Sequence, residues 1–119
     1  MREQTTTVLT DAHARVVRFL IGRGIGLMFE VPMPPYTADV YLTDYHAVLE
    51  IDGPQHSKKA DNRRDAAIYD RYGALTFRIK ASEARQPHKW AKALYEFLDK
   101  TAETVDSRWE LNKLKLPCL

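Results

Sequence analysis

The chain of 119 residues contains a single cysteine, Cys118. One cysteine excludes an intramolecular disulfide and a cysteine-based zinc site. No apolar run approaches the roughly 20 residues of a bilayer-spanning helix. Residues 1–7 lack the hydrophobic stretch of a signal peptide, and no repeat or low-complexity segment is visible. We therefore expect a cytoplasmic protein that makes no membrane contact.

The sequence also lacks a strong charge bias, with 18 basic and 16 acidic residues and a net charge of +2. Overall charge therefore gives no indication of a nucleic-acid partner. Five basic residues stand against three acidic ones between Lys58 and Arg71, a pattern that is usually a solvated helix face. With 45% hydrophobic residues, the composition predicts one globular domain over 1–105 and a C-terminal tail or docking arm over 106–119.

Hydrophobic periodicity divides the chain into three helices and four strands. The predicted helices cover 10–23, 61–72 and 87–105, and the predicted strands cover 27–31, 36–42, 47–52 and 74–80. The proline run 32–35 is expected to break the chain before a hairpin formed by the second and third strands. The order α-β-β-β-α-β-α predicts an α/β fold with a mixed sheet flanked by helices.

Three carboxylates, Asp39, Glu50 and Asp52, lie within this otherwise apolar hairpin. A turn centred on Asp44 and Tyr45 places Asp39 directly opposite Glu50, where like charges destabilise the strand pair. A bound divalent cation reverses that effect, and oxygen ligands suit Mg²⁺ or Mn²⁺. The alternative is a pair of edge strands whose acids are solvated or neutralised by an arginine.

A longer ordered set of residues resembles the very-short-patch-repair-like nucleases of the PD-(D/E)xK restriction-endonuclease superfamily. The set consists of Ala38-Asp39-Val40-Tyr41, Leu49-Glu50-Ile51-Asp52-Gly53-Pro54-Gln55-His56, Asp61, Arg64-Asp65, Tyr72-Gly73 and Phe77-Arg78. It is especially similar to the EDxHD homing-endonuclease branch, whose motif corresponds to Glu30, Asp39, His56 and Asp61. The resemblance implies a restriction-endonuclease-like fold and Mg²⁺-dependent (or Mn²⁺-dependent) hydrolysis of phosphodiester bonds in DNA, which we expect to be double-stranded.

Phosphodiester chemistry then suggests a role for each central residue. Asp39 would hold the cation, with Glu50 or Asp52 as a direct or water-mediated ligand. His56 would accept a proton from the attacking water, since an imidazole titrates near neutrality. The alternative for His56 is a loop histidine hydrogen-bonded to the backbone.

Two further acids of the motif have alternative interpretations. Glu30 either orients a metal-bound water or the first helix, or is a surface acid at a strand end. Asp61 is an N-cap, a catalytic orienting residue, or both. The remaining histidines, His13, His46 and His88, lack metal-ligand spacing and are predicted to be surface residues.

The candidate DNA-binding residues are Gln55, Lys58, Lys59, Arg63, Arg64 and Arg78. Arg63 and Arg64 either hold phosphate or pair with Asp65 and Asp70 on their own helix. Arg78 either contacts phosphate or bridges to a carboxylate of the site.

The chain departs from the superfamily pattern at Asp52, which occupies the position of the usual E-x-K lysine. This departure favours an alternative function, a catalytically inactive nuclease-fold module that binds DNA or protein. The joint presence of Asp39, Glu50, Asp52 and His56 favours an enzyme, because opposed acids without a function destabilise a fold. A structure-selective or repair nuclease, an RNA nuclease and a homodimer remain open.

Overall fold

The structure is a computed structural model that describes residues 10–55 and 57–112. Its helices and strands are α1 (Asp11–Gly22), β1 (Leu27–Met33), β2 (Tyr36–Leu42), β3 (Ala47–Asp52), α2 (Lys58–Tyr72), β4 (Leu75–Lys80), α3 (Ala91–Glu103) and α4 (Val105–Trp109), with 3₁₀ turns at Ala81–Glu83 and Pro87–Lys89. The strands form one sheet in the order β1-β2-β3-β4, in which only the β3–β4 pair is parallel. The predicted α/β class and mixed sheet are confirmed. None of the described helices has the length and apolarity to cross a membrane.

Both faces of the sheet are covered by helices. On one face, α1 and α3 pack on strand residues that include Val40 and Leu49. On the other face, Ile68 of α2 and Trp109 of α4 belong to a second cluster that contains Tyr41. Adjacent residues such as Val40 and Tyr41 serve opposite faces because successive side chains of a strand alternate.

Strand β1 is longer than predicted, because it continues through Pro32 to Met33. Pro32 is paired with Thr37 of β2. A proline is tolerated there because β1 lies at the edge of the sheet, where a missing backbone donor interrupts no second ladder. The Pro34–Pro35 peptide bond, which is cis, lies in the turn between β1 and β2. The proline run therefore joins two paired strands, and the prediction that it breaks the chain was wrong.

Helix α2 begins before its predicted start. Ser57 is the N-cap, and its hydroxyl accepts a hydrogen bond from the Ala60 amide at 3.3 Å. Asp61 lies inside the first turn, so the N-cap interpretation of Asp61 was wrong. The side chain of Asp61 is therefore available for tertiary contacts.

The predicted helix over 87–105 is interrupted. A 3₁₀ turn precedes α3, α3 ends at Glu103, and α4 follows after Thr104. Leu94 and Leu98 are buried as predicted, whereas Ala102 is exposed. Helix α4 covers the start of the predicted tail and packs on the chain's own core. The tail residues 113–119 lie outside the described residues.

Arg108 of α4 is buried, with 3% of its surface exposed. Its guanidinium donates hydrogen bonds to the carbonyl oxygens of Tyr45, His46, Gly73 and Thr101 at 2.5 to 3.0 Å. These carbonyls belong to the β2–β3 turn, the end of α2 and the end of α3. One side chain therefore joins three segments that are distant in sequence. Its charge is buried, but its N–H donors are satisfied by backbone carbonyl oxygens.

His46, predicted to be a surface residue, is fully buried in the β2–β3 turn. Its Nε2 lies 2.6 Å from the Tyr72 carbonyl, and its Nδ1 lies 2.7 Å from the Tyr41 hydroxyl. The carbonyl can only accept, so Nε2 carries the proton and Nδ1 accepts from Tyr41. The ring also stacks on Trp109 at 4.1 Å. Burial lowers the pKa of His46, which favours this neutral form.

We expect Gly73→Ala to destabilise the protein much more than Gly24→Ala. Both glycines have positive φ, at 75° and 73°, so each alanine variant should have the same backbone strain of about 1 kcal/mol. A Cβ at Gly73 would clash with the Arg108 carbonyl, whereas a Cβ at Gly24 meets nothing within 4 Å. Relieving the clash should add about 1 to 3 kcal/mol to the cost of Gly73→Ala. Urea denaturation of both variants measures the difference, and equal losses would contradict the proposed close approach.

Candidate functional site

A row of charged residues crosses the whole sheet. Glu50 of β3 is paired with Arg78 of β4. The β2–β3 pairs have the predicted register, and extending that register beyond Val40 and Leu49 places Asp39 opposite Glu50. On the other side, the β1–β2 register brings Glu30 opposite Asp39. Each of the four strands thus contributes one charged residue to the same row.

The ladder between β2 and β3 opens at this row. The Glu50 Oε2 accepts the Asp39 amide at 2.8 Å, and the Asp39 Oδ2 accepts the Ile51 amide at 3.2 Å. At this row, side-chain carboxylate oxygens accept hydrogen bonds from amides of the opposite strand. Ala38 and Val40, which regular alternation would place on one face, belong to the two opposite core clusters. Strand β2 therefore rotates at Asp39.

The backbone of Glu30 is strained in the same row. Its φ is 47°, a conformation that is rare for residues other than glycine, and its side chain is exposed. Such strain persists only where surrounding structure imposes it and is concentrated at functional sites. The irregularity therefore extends from β3 across β2 to β1.

Glu50 is the most buried acid of the row, with 4% of its surface exposed. Its Oε1 lies 3.1 Å from Nη2 of Arg64. Burial raises the pKa of Glu50 to about 7, and the negative charge of Asp39 acts in the same direction, whereas the Asp39 amide and Arg64 oppose it. Ionised Glu50 is thus only partly compensated by its neighbours.

Arg78 binds three carboxylates at once. Its Nε and Nη2 form a bidentate pair with Asp65 at 3.0 and 2.6 Å. Its Nη1 lies 2.8 Å from Asp52 Oδ1 and 3.5 Å from Asp61 Oδ1. Burial disfavours the charged guanidinium, but hydrogen bonds to Asp65 and Asp52 outweigh that effect and raise the pKa of Arg78. Of its two predicted roles, the structure therefore has Arg78 bridging carboxylates.

Arg64 turns from α2 towards the sheet. Besides its contact with Glu50, its Nη2 donates to the Thr37 carbonyl at 2.6 Å. Its guanidinium carbon lies 5.0 Å above the ring of Tyr36, close enough for a cation–π interaction. Arg64 thus connects β2, β3 and α2 beside the open ladder.

A groove of about 540 Å³ lies beside this arginine at the beginning of α2. It is lined by Tyr36, Gln55, Ser57, Ala60, Asp61, Arg63 and Arg64. The structure thus brings three predicted DNA-binding residues, Gln55, Arg63 and Arg64, to one depression next to Glu50. Lys58 and Lys59 are exposed on the first turn of α2 and do not line it. His56 lies outside the described residues.

His13 is the residue near the site that sequence reasoning missed. It was predicted to be a surface residue, yet its side chain is half-buried, and its Nε2 lies 3.4 Å from Asp39 Oδ2. No spacing rule links a histidine of the first helix to an acid of the second strand. The only local signal was its place three residues after Thr10, the N-cap of α1.

The candidate site has an excess of negative charge. Five carboxylates, Asp39, Glu50, Asp52, Asp61 and Asp65, accompany two guanidinium groups. The described residues contain no group of three or more potential metal ligands. Mg²⁺, however, is typically held by one or two carboxylates together with waters and substrate phosphates.

Asp39 and Glu50 fit such a two-carboxylate site. Only Oδ2 of Asp39 is engaged by neighbours in the described part of the chain, so Oδ1 is available to a cation. Each Glu50 oxygen has one neighbour at hydrogen-bonding distance and retains a second lone pair. Asp52, the third predicted ligand, contacts Arg78 instead.

Comparison with known proteins adds no relative. The chain matches no protein-family model, and no curated protein is significantly similar to it.

The pKa of Glu50 predicts how stability varies with pH in metal-free protein. Because the pKa rises from 4.5 unfolded to about 7 folded, the folded state binds more protons in that interval. Stability should therefore fall as pH rises from 5 to 8, with Glu50 contributing about 2.5 kcal/mol of the decrease. Urea unfolding in EDTA at both pH values measures it.

Glu50→Gln should remove the part of the pH-dependent decrease in stability that is due to Glu50. Glu96→Gln, an exposed change on α3, should retain it. The comparison uses the difference between two pH values, so any constant effect of the substitution cancels. An unchanged pH dependence in Glu50→Gln would contradict the assignment.

Proposed function

We propose that this protein is a metal-dependent DNA endonuclease with a restriction-endonuclease-like fold, of the very-short-patch-repair and EDxHD type. The observation that carries the proposal is the opening of the β2–β3 ladder. There, the carboxylates of Asp39 and Glu50 each bind an amide of the opposite strand. The element order and the mixed sheet agree with this fold.

Asp39 and Glu50 are the proposed ligands of Mg²⁺ or Mn²⁺. Their proximity is unfavourable in isolation, because the charge of Asp39 raises the pKa of Glu50. A divalent cation between two carboxylates changes this repulsion into attraction. When bound, the cation would neutralise the scissile phosphate and acidify a coordinated water.

The groove beside α2 is the proposed path of the DNA backbone. Arg63 is exposed there, Gln55 supplies an amide, and Arg64 joins the groove to Glu50. Charged and amide side chains of this kind bind phosphate oxygens and position a duplex without reading its sequence. Lys58 and Lys59 extend the positive surface along the first turn of α2.

His56 is the proposed general base, a role that its position in the sequence motif supports. Asp61 and Asp52 have a supporting role, because both contact Arg78 and so fix the end of β3 against α2 and β4. Glu30 lies in the same row as Asp39 and is exposed, so it is accessible to solvent and substrate. The proposed chemistry thus has its ligands on β2 and β3 and its base between β3 and α2 in the sequence.

A supercoiled-plasmid assay tests the nuclease directly. We expect nicking or linearisation with Mg²⁺ or Mn²⁺ and none in EDTA. Asp39→Asn and His56→Ala should each lower the rate at least about 100-fold. Asp99→Asn, an exposed acid on α3, is the matched control and should cut normally. Cutting that survives Asp39→Asn would overturn the site assignment.

A second candidate function is a nuclease-fold module that binds nucleic acid without cutting it. It is favoured by the contacts of Arg64 and Arg78, whose guanidinium groups pair with Glu50 and Asp52. For such a module, we expect fluorescence anisotropy to show binding of labelled duplex DNA in EDTA. The folded protein should then cut no substrate in the presence of any metal ion. A matched RNA in both assays separates the DNA and RNA alternatives.

A further inference from the structure

Helix α4 depends on tertiary contacts for its stability. It has five residues, and isolated helices shorter than about 12 residues are marginal in water. Its N-cap, Thr104, makes no side-chain capping hydrogen bond. Two of its side chains contact His46 in the β2–β3 turn: the Trp109 ring stacks on the imidazole at 4.1 Å, and Arg108 donates to the His46 carbonyl. The docking of α4 is therefore coupled to the state of His46.

The hydrogen bonds of the His46 ring suit its neutral form. Nε2–H donates to the Tyr72 carbonyl, and Nδ1 accepts from the Tyr41 hydroxyl. A proton on Nδ1 would place two donors opposite each other at 2.7 Å and break the hydrogen bond from Tyr41. Because the ring is fully buried, a hydrogen bond to bulk water does not replace the one that is lost.

The positive charge of a protonated His46 would also be uncompensated by its neighbours. The groups that face it are the Tyr41 hydroxyl of β2, the Tyr72 carbonyl of α2, and Trp109 and Arg108 of α4. These four groups supply no negative charge, and Arg108 is itself a buried cation. Burial lowers the pKa of His46, the hydrogen bond to the Tyr72 carbonyl raises it, and the charge of Arg108 lowers it further.

We propose that protonation of His46 releases α4 from the rest of the fold, so that the protein opens locally in mildly acidic solution while the sheet stays paired. Thr104, the single residue between α3 and α4, is exposed and is the proposed hinge. A groove of about 550 Å³ is lined by residues of α2, β4 and α4, so the packing between these elements is incomplete there. Release would uncover the Gly73 carbonyl, which accepts from Arg108, and the apolar cluster against which Trp109 packs.

The difference in the pKa of His46 between the two states gives the direction of the effect. In the released state the imidazole is in water, where its pKa is about 6.5. In the docked state its pKa is lower. The released state therefore binds more protons below about pH 6.5, so acid favours release. Between about pH 7.5 and about pH 5.5, the equilibrium constant for release should increase by up to about 10-fold.

Amide hydrogen exchange of the full-length protein, followed by NMR at both pH values and corrected for intrinsic exchange rates, tests the proposal. The amides of Arg108 and Leu111, which donate to the carbonyls of Thr104 and Arg108, report on α4. Their protection factors should decrease at the lower pH by up to about 10-fold, and the amide of Val48 in β3 should not follow them. Equal losses in β3 would indicate global unfolding and would overturn the proposal. So would protection of α4 that is the same at both pH values.

Two variants assign the effect to His46. Glutamine can donate to the Tyr72 carbonyl but does not titrate, so His46→Gln should remove the pH dependence of exchange in α4. His88→Gln, an exposed change, is the matched control and should retain it. A pH dependence that persists in His46→Gln would contradict the assignment. Circular dichroism establishes that each variant is folded.

Tyr41→Phe keeps the proposal testable if His46→Gln does not fold. It removes the hydroxyl that donates to Nδ1 and so favours the neutral ring. The pKa of His46 should therefore rise, and α4 should begin to lose protection at a higher pH than in the wild-type protein. An unchanged pH dependence in folded Tyr41→Phe would overturn the proposal. These measurements require no metal or nucleic acid, so their outcome is independent of the nuclease assignment.

Discussion

The exchange of hydrogen bonds between β2 and β3 is the constraint on which the candidate site depends. Asp39 and Glu50 accept each other's strand amides in the interior of the sheet. A buried backbone donor without an acceptor costs about 1 to 3 kcal/mol, so each carboxylate is held in place by the folding of the strands. The same bonds keep two negative charges adjacent. The same hydrogen bonds therefore stabilise both the sheet and the candidate site. The repulsion between the two carboxylates persists because each of them accepts a hydrogen bond from a backbone amide.

Two arginines from different elements partly compensate the negative charge of the row. Arg64 of α2 forms an ion pair with Glu50. Arg78 of β4 forms ion pairs with Asp52, Asp61 and Asp65. Both contacts tie α2 to the strands that it connects. Asp39 lies outside these pairs and faces α1 instead. The negative charge of Asp39 therefore lies on the α1 side of the row, where His13 contacts it.

The features that follow from local pattern were predictable from the sequence. The period-two alternation and the turn gave the register between β2 and β3, which the strand pairing from Val40 to Leu42 bears out. Features that depend on tertiary context were missed. Pro32 is compatible with a strand only because that strand is at an edge, and His46 is buried only because Trp109 and Tyr72 come to cover it. No local pattern carries that information.

Similarly, the proximity of His13 to Asp39 results from the packing of α1 on the sheet. The burial of Arg108 was not predicted, because the carbonyls that accept its hydrogen bonds come from segments far away in the chain. The sequence therefore predicts the acids of the site better than their partners. The acids lie on strands with a clear period, whereas the partners reach them across the fold.

The position of Arg108 near the C-terminal end of the described chain has a consequence for biosynthesis. The carbonyls of Tyr45, His46 and Gly73 accept buried hydrogen bonds from this side chain. During translation, the sheet and α2 leave the ribosome before Arg108 has been added. The contacts that Arg108 makes at the β2–β3 turn therefore form only after α4 has emerged. The nascent chain reaches its final packing late, and a ribosome stalled before this residue would present a partly closed core to chaperones.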